Sequence, residues 1–306
     1  MLTNYYYKVA GLVFCVSLPE GKDADRLLPS FRPFRCEPDA VRKDNPVFRY
    51  SVKSDSCPDN PDLLIIDEAV NDMGYTRLMR AVDFYRVEIR FTPDAPSHLM
   101  DVDSSFVIAV ARVDWTDPYV GNVISSQLRI VFSQAILRNN GISLHAAAVS
   151  LNGKAYLFMG KSGTGKSTHA ALWHANIAGV ELLNDDNPAL RIENGRLIAY
   201  GTPWSGKTPC YKNLRYPVGG MARLVQSYKN RFLRRKYVPA FVTLLPGCSV
   251  IREDAELYRM LCDTLIRMTE LARIGVMECR PDDEAVAVCA RGLCRLGTYK
   301  FLEPKN

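Results

Sequence analysis

Apolar residues fall in short alternating runs over the first third of the chain and in longer, sharply punctuated runs beyond it. The two patterns predict different architectures. Residues 5–17 form an apolar run, residues 83–91 contain the alternation Phe-Tyr-Arg-Val-Glu-Ile-Arg-Phe, and residues 104–113 give a further strand. Between them, residues 51–61 are dense in Ser, Asp and Pro and read as a loop. Helical spacing appears over residues 127–138 and stops at Asn139, Asn140 and Gly141, which suit a C-cap. The turn-forming pair Asp117-Pro118 places a domain boundary near residue 120. A β-rich N-terminal domain over 1–120 is expected, followed by a second domain over 121–306, with no internal repeat in either.

In the second domain, apolar runs over 143–150 and 154–159 flank Asn152-Gly153, the favoured pair of a type I′ hairpin turn. Asn194-Gly195 repeats the signal between residues 189–193 and 196–200. A helix is expected over 166–178, stopped by Gly179. A long amphipathic helix follows over 254–270, a short strand over 275–279 and a last helix over 282–291. The Met and Leu residues of 257–268 recur at helical spacing and read as core.

With 47% hydrophobic and 24% charged residues in 306, the composition is that of a globular chain. No apolar run reaches the length of a membrane span. The N-terminus lacks the basic and apolar regions of a secretion signal, so a cytoplasmic location without membrane partners is expected. The nine cysteines are scattered singly without any Cys-x-x-Cys pair, which favours reduced thiols over disulfides or zinc. A net charge of +6 is too diffuse for nucleic-acid binding.

Gly160, Lys161, Ser162, Gly163, Thr164, Gly165, Lys166 and Ser167 fit the phosphate-loop pattern G-x-x-x-x-G-K-[ST], with Thr168 next in the helix. Glycines let successive backbone N–H groups point at phosphate oxygens, and the helix aims its positive end at the anion. Lys166 supplies charge near the β- and γ-phosphates, and Ser167 offers a hydroxyl to magnesium. A strand directly before the loop and a helix directly after it make the match specific to nucleotide binding.

The first hairpin turn places His145 opposite Gly160, at the start of the loop. There it either serves the phosphates or caps a strand end. Asp185 and Asp186 follow the apolar pair Leu182-Leu183, at the carboxyl edge where ligands of α/β proteins bind. One carboxylate can hold magnesium while its neighbour takes a proton. In the second hairpin Asp185 falls opposite Trp204 and Asp186 opposite Pro203, which returns residues 201–207 to the same edge. Trp204, Ser205 and Lys207 are therefore candidates for substrate contact.

Together, Ser143-Leu-His-Ala-Ala-Ala-Val, the Asn-Gly hairpin, the loop and Asp185-Asp186 resemble the catalytic domain of HPr kinase/phosphorylase. That family shares a core with ATP-dependent phosphoenolpyruvate carboxykinase, and the resemblance spans about residues 125–290. It implies an α/β P-loop kinase domain that moves phosphate from ATP, with Mg²⁺, to a serine hydroxyl. The acceptor is then a protein, peptide or small molecule, and the chain can form homo-oligomers. By position, Lys166 binds phosphate, Ser167 and Asp185 take the metal, Asp186 accepts the proton and His145 assists. The Arg-Gly-Leu-Gly-Ile segment of true HPr kinases is absent, and Tyr200-Gly-Thr-Pro-Trp-Ser-Gly-Lys207 stands in that region. This puts HPr itself, and the phosphorylase activity, in question.

Two other functions fit the loop: a nucleotide-dependent regulatory module without kinase activity, and an ATPase coupled to mechanical work. The basic run over 228–237 reads as a solvated helix face or turn. Its functional alternative has Asn230, Arg231 or Arg234 reaching the nucleotide or an acidic substrate.

Overall fold

Ala10 and Gly11 both take positive φ (50° and 77°) and reverse the chain inside the first apolar run. Two strands result, β1 (Leu2–Val9) and β2 (Leu12–Pro19), paired antiparallel along their whole length. The Ala-Gly turn lacks the usual Asn-Gly signature, so the sequence shows one run where the chain forms a hairpin. The computed structural model describes residues 1–37, 45–53, 62–71, 74–294 and 299–302. Most of the loop expected over 51–61 lies outside them.

The described residues are mixed α/β with two large sheets, in two units, Met1–Ala135 and Ile136–Asn306. In the first unit a short helix, α1 (Ala24–Leu27), precedes β3 (Arg35–Cys36). The strands β4 (Arg49–Val52), β5 (Leu64–Asn71), β6 (Gly74–Arg80), β7 (Phe84–Arg90), β8 (His98–Asp103) and β9 (Ile108–Arg112) follow. They form one sheet in the order β3-β1-β2-β4-β9-β8-β7-β6-β5. The expected β-rich character holds.

The division falls at Ala135 rather than near residue 120, for two physical reasons. Asp117 is buried, and its carboxylate accepts from His98 Nε2 at 2.8 Å while Asp114 N–H donates to His98 Nδ1. The turn expected to separate the domains is therefore tied into the first. Helix α2 (Val120–Ala135) begins earlier than its pattern suggested and buries Val123, Ile124, Leu128, Val131 and Phe132. Its Gln127 accepts from the buried Tyr50 hydroxyl at 2.6 Å, which ties the helix to the first sheet. A 3₁₀ turn over Ile136–Asn139 and the positive φ of Asn140 end this segment.

The second unit starts with β10 (Gly141–Ser143) and the hairpin β11 (Ala146–Leu151) and β12 (Lys154–Met159). Its register runs from Ala146↔Met159 to Leu151↔Lys154, as Asn152-Gly153 predicts. Helix α3 (Lys166–Asn176) leads to β13 (Glu181–Asn184), and a second hairpin pairs β14 (Ala189–Glu193) with β15 (Arg196–Tyr200). Next come β16 (Arg215–Gln226), β17 (Arg231–Arg235), α4 (Tyr237–Leu244), α5 (Ala255–Leu271), β18 (Arg273–Cys279) and α6 (Asp283–Leu293). The sheet order is β10-β14-β15-β16-β12-β11-β13, with β18 also on β16 and β17 on β18.

Strands β12, β16 and β18 are parallel neighbours. Because β13 is antiparallel to β11, it runs in the same sense as β12. All four strands end at one edge. Helices α3 and α6 bury Trp173, Ala285, Val286 and Cys289 in a core with Phe158 and Met277. Leu257, Leu261, Leu265 and Met268 of α5 are buried, as expected.

Residues 231–235 of the basic run form a strand, β17, rather than a helix face. The Asn230 amide donates to Asp282 and Glu284, and Arg231 pairs with Glu278 at 2.9 Å. Both side chains are thus committed within the unit. The eight described cysteines are free thiols, and Cys57 lies outside the described residues. Among the described residues no helix is long and apolar enough to cross a membrane.

Candidate functional site

The 160–165 loop leaves the carboxyl end of β12, and Gly163 and Gly165 hold φ of 78° and 93°, a region costly for other residues. Gly165 is the N-cap of α3. The Thr164 hydroxyl donates to the Lys161 carbonyl at 2.7 Å, and a Cβ at Gly160 would collide with that hydroxyl. Lys166 lies back over the loop, its ammonium 3.2 Å from the Gly160 carbonyl and 3.3 Å from that of Lys161. Burial pushes its pKa down, while the Asp186 and Asp185 carboxylates oppose that shift. The lysine therefore feels both aspartates. Ser167 and Thr168 occupy the first turn of α3, where backbone N–H groups lack helical partners.

The Asp-Asp pair is held by its neighbour. Asn184 is fully buried at the end of β13. Its amide donates to the Thr202 hydroxyl at 3.2 Å and the Trp204 carbonyl at 3.0 Å. Its side-chain oxygen accepts from the N–H groups of Asp186 and Asn187 at 3.0 and 2.8 Å. One side chain thus clasps residues 202–204 to the Asp-Asp turn. The β14–β15 ladder ends at Ala189↔Tyr200, so Asp185 and Asp186 are not strand partners of Trp204 and Pro203. The expected proximity exists, but the clasp produces it.

Each aspartate then has its own partner. Asp185 Oδ2 accepts from Thr208 N–H at 3.1 Å. Asp186 Oδ1 lies 2.9 Å from His145 Nδ1, with the aspartate 13% and the histidine 41% exposed. The backbones are joined as well, since Ala146 N–H donates to the Asp186 carbonyl and His145 N–H to that of Gly247. The hairpin ladder ends at Ala146↔Met159, so His145 is not a strand partner of Gly160; its N–H pairs with Gly247 and its ring with Asp186.

The three acceptor-side candidates separate. Trp204 is buried and belongs to the clasp. Ser205 donates to the Thr208 carbonyl at 2.7 Å, and Lys207 is exposed. Between them, Gly206 lies so close that a Cβ there would be 3.3 Å from the Asp185 carbonyl oxygen.

Sequence reasoning missed Asn184, the Thr208 N–H, the Gly247 carbonyl and Gln226, whose amide donates to the Gly163 carbonyl at 3.3 Å. Only Asn184 carried a signal, as a polar residue between an apolar strand and two carboxylates.

Behind the loop, His169 is buried edge-on against Phe158 and accepts from Trp173 Nε1–H at 3.1 Å. Burial pushes it from 6.5 down to about 4. Between those values the unfolded chain binds a proton that the folded chain refuses. The contribution is therefore complete above about pH 6.5 and lost toward pH 4, by roughly 3 kcal/mol. Urea midpoints at pH 7.5 and 4.5 should show this loss. His169→Gln, which keeps an acceptor for Trp173, should remove most of the difference.

No protein-family model matches this chain, and no curated protein matches it. Among solved structures the chain is similar to the HPr(Ser) kinase/phosphatase from Coxiella burnetii. Identity is 12% over 48% of this chain and 90% of that one, with a TM-score of 0.28. Similarity at that level carries no weight for activity, so the functional reading rests on the site's own residues.

Proposed function

We propose that the chain is an ATP-dependent kinase that transfers the γ-phosphate to a hydroxyl, with serine hydroxyls of a protein, peptide or small molecule as the leading class. The observation that carries this reading is the pairing of Asp186 with His145 at 2.9 Å, beside a lysine that feels both aspartates. A phosphate loop alone needs only its lysine and its backbone. The second carboxylate with an orienting histidine supplies what proton removal from an acceptor requires.

The roles follow from position. The loop N–H groups and Lys166 hold the β- and γ-phosphates. Ser167 and Asp185 are hard oxygen donors and suit Mg²⁺, which takes few protein ligands and keeps several waters. When bound, the ion neutralises charge on the phosphates. Asp186 takes the acceptor's proton as the acceptor oxygen bonds to the γ-phosphorus. The bond from phosphorus to the bridging oxygen breaks, and ADP leaves. His145 donates through Nδ1–H to Asp186 Oδ1 and orients the carboxylate. Exposed Lys207 is a candidate for acceptor contact.

Lys166→Ala tests the nucleotide half. It should cost about 2 kcal/mol or more of ATP affinity, roughly thirtyfold, in calorimetric titration with Mg²⁺. Unchanged affinity would remove Lys166 from the site.

A further inference from the structure

At the other edge of the second sheet, two cavities adjoin. The larger, about 750 Å³, lies between α4, α5 and the end of β17 and is lined mainly by apolar atoms. Tyr237, Val238 and Ile266 stand at it 81%, 71% and 53% exposed, with Phe241 and Cys262 deeper. The smaller, about 270 Å³, is polar and shares Arg234, Glu270 and Ala272 with the first. Lys154, Arg234 and Arg273 line it, with the Tyr156 ring at its wall. A Cβ at Gly219 would lie 2.6 Å from that ring, so glycine is needed for the pocket to keep this shape.

The charge is unbalanced. Glu270 is the only carboxylate in the lining, and among the described residues no carboxylate forms an ion pair with Lys154, Arg234 or Arg273. Arg273 spends one N–H on the Cys294 carbonyl at 3.0 Å and keeps its remaining donors. Lys154 opens β12 and Arg273 opens β18. The cations therefore sit at the amino ends of strands whose carboxyl ends carry the phosphate loop. This is a separate site.

A cationic end that opens into an apolar groove is complementary to a molecule with one anionic head and one unbranched apolar tail. We propose that the paired cavity binds a single-chain aliphatic carboxylate, its head among Lys154, Arg234 and Arg273 and its tail along Phe241 and Ile266. The total space is in the range of small-molecule sites. An inorganic anion leaves the groove empty, and an alcohol of equal length leaves the three cations unmatched.

Equilibrium dialysis of the full chain against labelled dodecanoate, below its critical micelle concentration, tests this. One saturable site is expected, with affinity rising about fourfold per methylene from octanoate to dodecanoate. Dodecanol should compete at least tenfold more weakly than dodecanoate, and inorganic phosphate should fail to compete. Arg234→Ala and Ile266→Glu are surface changes, with folding checked by thermal melts. Each should weaken binding at least tenfold, whereas Lys166→Ala at the opposite edge should leave it unchanged. Absence of saturable binding overturns the proposal. So does equal competition by dodecanol, binding unaffected by both surface variants, or displacement by an acidic peptide but not by octanoate.

Discussion

Replacing Asp186 with Asn is expected to slow phosphoryl transfer by about 10²–10⁴-fold, the usual worth of a positioned general base. The substitution keeps the side chain's size and its acceptor for His145 Nδ1–H, which lies 2.9 Å away in the native pair. It removes the lone pair that, in the proposed reaction, takes the acceptor's proton. Asp186 is not assigned to the nucleotide, so ATP affinity should stay within about threefold. Single-turnover rates and calorimetric titration on the same variant separate the two effects. His145→Ala should act in the same direction and less strongly, because the carboxylate remains and only its orientation is lost.

Among the substitutions, the largest loss of stability is expected from Asn184→Ala. The native side chain satisfies two backbone N–H groups, of Asp186 and Asn187, and shares the Trp204 carbonyl with the Thr202 hydroxyl. Asn184 itself is fully buried, so no solvent replaces those bonds. At roughly 1 kcal/mol or more for each N–H left unpaired, the total is about 2 kcal/mol or more. Trp204 and Trp173 both lie in the second unit, so their fluorescence during urea denaturation reads the loss where it occurs. Activity should fall as well, since the same clasp fixes the turn that aims Asp185 and Asp186. A stability close to that of the native chain would show that the 202–204 segment is held by something else.

Much of the second unit was legible because its turns carry strong local signals. Asn152-Gly153 and Asn194-Gly195 adopt the positive φ their types require, and each fixed its hairpin's register to the residue. The first register stops one residue short of His145, whose N–H is taken by Gly247 instead. The second register led to a correct proximity for the wrong reason. Strand pairing stops at Tyr200, and a buried asparagine completes the approach.

Periodicity also failed where tertiary contacts decided the outcome. Residues 228–237 are basic and polar enough for an exposed helix, yet β17 forms because β18 offers a free edge to pair with. Asp117-Pro118 has every mark of a linker turn, but a buried histidine, His98, claims the aspartate. In both cases the partner is distant in sequence, and no local pattern names it. The hydrogen-bond donors supplied by Thr208 and Gln226 were unreadable for the same reason.

In the proposed function, loop, lysine and aspartates together move a phosphoryl group rather than merely bind a nucleotide. Incubating the full chain with γ-labelled ATP and Mg²⁺ tests it most directly, with free serine, serine peptides and HPr-like proteins as acceptors. The site predicts label on a hydroxyl acceptor with the native chain and almost none with Asp186→Asn. ATP bound by both proteins with no acceptor labelled, and nucleotide-dependent partner binding that survives Asp186→Asn, would contradict it and indicate a regulatory module.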